Sequence, residues 1–144
     1  MIKQITGLVV AGLFLTACGS VSASSAMVSW AQQSNFVANA KVLYIDSQHS
    51  ATALRKLSES SAGLHTVCAV LLVDAEAANS SLPTPDAQST RLLSKAYSDL
   101  GAGANQCYRA DHSNAARAMA IAWLIKGAAT FSEATARVAS ASLP

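Results

Sequence analysis

The chain has 144 residues, of which 51% are hydrophobic and only 12% charged, which suits one ordinary domain and leaves no room for two. Its 10 Lys plus Arg against 8 Asp plus Glu give a formal charge of +2. Nucleic-acid binding would need a strong, clustered basic excess, so that class is excluded.

The first residues carry one cation, Lys3, followed by an uncharged and mostly apolar run from Ile5 to Ala17. At roughly 13 residues the run is too short to span a membrane, which takes about 20, and it reads as residues 1–17 of a cleaved export signal. Its end, Leu15-Thr16-Ala17-Cys18, resembles the lipobox of bacterial lipoproteins. That resemblance implies acylation of Cys18 and attachment to the extracytoplasmic face of the cell membrane. A competing site at Val21-Ser22-Ala23 has the small residues of ordinary signal cleavage and would release a soluble protein lacking Cys18.

The chain has 3 cysteines. With Cys18 assigned to the lipid, Cys68 and Cys107 remain as a pair, and an oxidising location outside the cytoplasm lets a disulfide persist. The alternatives are two buried free thiols, or a catalytic thiol for which no neighbouring histidine can be read from the spacing.

Residues 18–26, CGSVSASSA, are small and polar and read as a flexible tether. Strong helix formers without strict apolar alternation make 27–140 an all-α domain. A first helix over 27–58 carries Phe36, Ala40, Leu43, Ala51, Leu54 and Leu57 on one stripe, weakened where the register passes through Ser47 and Ser50. The second, 62–79, sets Leu64, Val67, Cys68, Leu71, Leu72, Ala75 and Ala78 on one face before Pro83 stops it.

The third helix starts at Thr84-Pro85-Asp86, with Thr84 as N-cap and Pro85 at the first helical position, and runs to about Tyr108. Its inward stripe ends on Cys107. The fourth, 113–140, is capped by Asp111 or Ser113 and buries Ile121, Leu124, Ile125, Ala128, Phe131, Thr135 and Val138. Short connections predict an up-down-up-down four-helix bundle with one inter-helix disulfide. A symmetric antiparallel pair would nevertheless place the partner of Cys68 near residue 95, leaving Cys107 ~18 Å too far along at 1.5 Å per residue.

No chemical constellation emerges. His49, His65 and His112 fall on or near three different elements without metal-ligand spacing, so no metal or cofactor is expected. Asp74 and Glu76 are two apart and diverge on a helix, and no nucleophile turn of the G-x-S-x-G kind occurs. Gly101 to Ala104 lacks the strand and Gly-Lys-Ser/Thr ending of a phosphate loop; there, as at Gly127, small residues admit a neighbouring helix. Of the aromatics Trp30, Tyr44, Tyr97, Tyr108 and Trp123, most are expected in the core. Trp30, close to the tether, is the exception and the candidate contact to a partner or the membrane.

Trp30, Asp46, a cysteine in each of the two middle helices, Leu-Pro-Thr-Pro-Asp at 82–86 and Gly127 together resemble a group of small actinobacterial lipoproteins and secreted proteins. The likeness spans about residues 27–139. It implies a helical domain with a disulfide, of unknown function, and supplies no catalytic residues. The expected function is therefore non-enzymatic: a membrane-anchored helical domain presented to a protein partner or an envelope component, with a phage-derived exclusion role as one version. The alternative is a small-ligand or metal binder with a pocket between helices.

Overall fold

The first expected helix is two. In a computed structural model of the chain, residues 22–56, 60–110 and 113–144 are described. Among them the protein is all-helical, without strands, as α1 (Ala23–Gln33), α2 (Phe36–Arg55), α3 (Ser61–Asn79), α4 (Ala87–Arg109) and α5 (Asn114–Ala141). The four helices of the sequence reading thus become five. The break lies at Asn35, which adopts the left-handed conformation at φ 50°, a region that asparagine tolerates better than most residues. Around it, the Ser34 hydroxyl donates to Trp30 O at 2.8 Å and the Asn39 amide donates to Ser34 O at 2.9 Å, so polar side chains satisfy the backbone freed at the break.

The expected tether is also corrected within its described part. Ser22 accepts a hydrogen bond from Ser25 N–H and caps a helix that begins at Ala23. Cys18 and residues 19–21 lie outside the described residues, as do Leu57, Asp111 and His112.

Successive helices from α2 to α5 run antiparallel. Ser50 donates to Val67 O across the α2–α3 seam, Cys68 is bonded to Cys107 between α3 and α4, and Tyr97 meets Phe131 between α4 and α5. α5 returns to α2, where the buried Arg117 donates to Leu54 O at 3.2 Å and Lys56 O at 3.0 Å, capping the carbonyl end of α2. Leu43, Leu54, Leu64, Leu71, Leu93, Leu100 and Leu124 fill the interior. The serines expected to weaken the α2 stripe do not interrupt it. Ser47 and Ser50 are buried with their hydroxyls satisfied by Tyr44 O and Val67 O.

Both cysteines are fully buried and their Cα atoms are 5.7 Å apart. The register conflict disappears because α4 begins beyond the end of α3. Cys68 precedes the last residue of α3 by 11 positions and Cys107 follows the first residue of α4 by 20, so α4 overhangs by roughly 13 Å at 1.5 Å per residue. Residues 80–86 span that overhang, with a cis bond between Leu82 and Pro83.

The N-cap of α4 is Asp86, two residues later than expected. Its carboxylate accepts from Ser89 N and Ser89 Oγ, both at 2.7 Å, and pairs with Arg137 of α5 through Nε at 3.0 Å and Nη2 at 2.8 Å. A carboxylate that faces the positive helix end and an arginine fork at once outcompetes the Thr84 hydroxyl, which instead donates to Asp86 O.

On α5 the buried face is Arg117, Ala120, Leu124, Gly127, Phe131, Ala134 and Val138. Ile125, expected inside, is 58% exposed. Small residues at 120, 127 and 134 draw α4 against that side and rotate the expected face by one position.

The two hydrogen bonds from Arg137, followed by those from Ser89, hold the Asp86 carboxyl well below the usual carboxylate range. A group with a depressed folded-state pKa contributes fully above its unfolded value, about 3.9, and loses that contribution as pH falls toward the folded one. Asn caps helices nearly as well as Asp. Asp86→Asn is therefore expected to lower stability by about 0.5–1 kcal/mol at pH 7, a figure suited to a partly exposed pair. Urea unfolding from pH 7 down to 2 checks this: the parent and variant midpoints converge below pH 4, and a gap independent of pH would refute the assignment.

Candidate acidic and apolar face

Among the described residues α3 is the one helix long and apolar enough to cross a membrane, yet only 28% of that stretch is buried inside the protein. Its inner face, Leu64, Cys68, Leu71, Ala75 and Ala78, meets α2 and α4. The outer face carries Val70 and Val73, which are 46% and 61% exposed. Beside them on α2, Val42 and Ile45 are also exposed. The positions 42, 45, 46 and 49 share one face of α2 by helical spacing, as do 70, 73, 74 and 77 on α3.

Two carboxylates sit within this apolar frame. Asp46 of α2 and Asp74 of α3 meet across the seam, both half-buried. Burial pushes the Asp46 carboxyl up, a hydrogen bond with Asp74 and the Asp74 charge push it further, and His49 pulls it down. When one of the pair is protonated it donates to the other. A cation placed between them would relieve the repulsion, so a lysine or arginine side chain is the complementary group.

Other charged clusters serve the fold. Asp99 receives Lys95 Nζ at 2.7 Å and Lys126 Nζ at 3.2 Å. Burial raises its carboxyl, but the hydrogen bonds and charges of the two lysines outweigh that and hold it low. Lys126 also lies 4.3 Å above the Trp123 ring.

The sequence candidates are distributed as follows. Cys68 and Cys107 are brought together. Cys18 lies outside the described residues. Trp30 is half-buried: its indole N–H donates to Ser81 O at 3.0 Å and its ring lies 5.3 Å from Phe36, so it fastens α1 to the 80–86 segment. Of the other aromatics, Tyr97 is buried, which pushes its hydroxyl pKa up to about 12, whereas Tyr44 and Tyr108 are exposed. Tyr108 stacks on His65 at 4.5 Å. No three His, Cys, Asp or Glu residues among those described converge to hold a metal.

The Asp46/Asp74 pair was missed because it joins two helices whose register the sequence does not announce. The one available signal was that each aspartate directly follows an apolar residue, Ile45 or Val73, on an outward face. Compared with family models, curated proteins and solved structures, the chain matches none.

Proposed function

We propose that the chain is a non-enzymatic lipoprotein, held at the extracytoplasmic face of the cell membrane through Cys18, that presents its α2–α3 face to a basic protein partner or envelope component. The reading fits the small actinobacterial lipoproteins that the sequence resembles. Its body is an up-down-up-down four-helix bundle, α2 to α5, with α1 added at the membrane end. The observation that carries the proposal is the uncovered apolar face of α3 with its acidic pair, since contiguous exposed apolar surface marks interaction sites in soluble domains.

One feature supports the anchored form. Cleavage after Ala23 would remove Ser22, the residue that caps α1, whereas processing at Cys18 keeps it. Four residues then separate Cys18 from α1, so the domain stands within about 18 Å of the anchor at ~3.6 Å per residue.

Intact mass spectrometry of membrane-fraction protein tests the anchor: an acylated chain beginning at Cys18 is expected, and protein found only in the medium and beginning after Ala23 would refute it. Photo-crosslinking in intact cells tests the face. A crosslinker at Val73 is expected to give an adduct of discrete mass that Asp74→Lys abolishes, while one at the exposed Glu133 of α5 gives none. Equal adducts at both positions, or none at Val73, would overturn the assignment.

A further inference from the structure

A second surface has different chemistry. Between α2 and α5 runs a cavity of about 340 Å³ with Leu43, Leu100 and Phe131 among its lining residues, a size at the lower end of the ~300–1,000 Å³ typical of small-molecule sites. A second cavity of about 240 Å³ is lined by Ala51, Leu124 and Ile125. The two share Ser47 and Ala128 and form one groove. From Ala40 to Arg55 along α2 it extends roughly 22 Å at 1.5 Å per residue.

The groove exists because small residues face each other across the seam. α2 offers Ala40, Ser47 and Ala51, and α5 offers Ala128, Ser132 and Thr135. α5 is meanwhile drawn toward α4 at Gly127, which packs on Leu100. Two of the lining hydroxyls turn back onto their own helices, Ser47 to Tyr44 O at 2.8 Å and Thr135 to Ser132 O at 2.9 Å, and Leu43, Leu100 and Phe131 give the first cavity an apolar floor. Lys41 lines one cavity and Arg55 the other, and no acidic residue lines either. No ion pair among the described residues engages Lys41 or Arg55.

We infer that the α2–α5 groove binds a single-chain anionic amphiphile, its acyl chain lying along the small-residue seam and its carboxylate or phosphate head at Lys41 or Arg55. The apolar length selects the chain, because each buried methylene contributes about 0.8 kcal/mol. Charge complementarity selects the anionic head. This site is separate from the α2–α3 face and can fail or hold independently of it.

The test uses the full chain in an amphipathic polymer, so that no detergent monomer competes, with palmitate, lysophosphatidate and uncharged hexadecanol as probes. Saturable one-to-one binding of palmitate or lysophosphatidate is expected, and the tighter of the two identifies the head. Ala128→Phe fills the junction of the two cavities and should abolish binding. In case that variant unfolds, Lys41→Glu and Arg55→Glu, both at exposed positions, supply an independent reading. One of them should weaken the anionic probes by roughly three- to tenfold, the scale of a surface charge pair, and leave hexadecanol unchanged. Absence of saturable binding by either anionic probe, retention of binding in folded Ala128→Phe, failure of both charge reversals to weaken the anionic probes, or a loss of hexadecanol binding as large as that of the anionic probes would overturn the inference.

Discussion

Gly127→Ala is expected to destabilise the protein by about 1–2 kcal/mol, whereas Gly101→Ala, next in the chain to the Leu100 that Gly127 packs against, should stabilise it by about 0.5–1 kcal/mol. Both glycines sit inside helices, so alanine brings the same propensity gain at each. The difference is what a methyl group meets. At Gly101 the nearest atom is a Leu72 methyl at 3.8 Å, an ordinary contact. At Gly127 the methyl would lie 2.9 Å from the backbone nitrogen of Leu100, as well as from its Cγ and Cδ2, and a helix backbone cannot step aside as a side chain can. Gly103 is the reciprocal position, facing Leu124 with Cδ2 at 2.8 Å and the backbone nitrogen at 3.1 Å. Part of that contact is a flexible side-chain end, so Gly103→Ala should fall between the other two. Urea midpoints for the three variants check the order, and a stabilised Gly127→Ala would mean that α4 and α5 are not in backbone contact there.

How far the sequence could be read follows from which interactions are local. The inner face of α3 was legible because Leu64, Cys68, Leu71 and Ala75 repeat at helical spacing, and the cysteine pair followed from assigning Cys18 to a lipid. The break at Asn35 was not legible: one left-handed residue in a polar stretch does not disturb the apolar period on either side. On α5 the apolar pattern misled, because Gly127 and Ala120 contribute to the core by being small, and no hydrophobicity count rewards absence of side chain. Cys107 looked out of reach of Cys68 because a symmetric hairpin was assumed, while the 80–86 segment instead carries the chain past the end of α3. The carboxylate pair at Asp46 and Asp74 was hidden for a related reason, since inter-helix register is set by packing and not by spacing along the chain.

Removal of the disulfide is the change expected to have the largest effect. Cys68 and Cys107 are 39 residues apart, and releasing a loop of that length costs about 4 kcal/mol in the chain-entropy model, a large share of the roughly 5–15 kcal/mol that holds a small domain together. The burial of both residues means that the Cys68→Ala/Cys107→Ala protein also leaves an under-filled site between α3 and α4. α3 is the element with most to lose. Its outer face is uncovered, so its attachment rests on α2, α4 and this one covalent link. Hydrogen exchange on the double variant should therefore show α3 amides losing protection before those of α4 and α5, which remain packed through Gly103 and Gly127. A loss in stability below about 1 kcal/mol, or uniform loss of protection along the chain, would show that packing alone secures α3. The link also bears on the proposed function, because the α2–α3 face exists only while α3 is seated. Full reduction should abolish crosslinking at Val73 while leaving α4 and α5 paired.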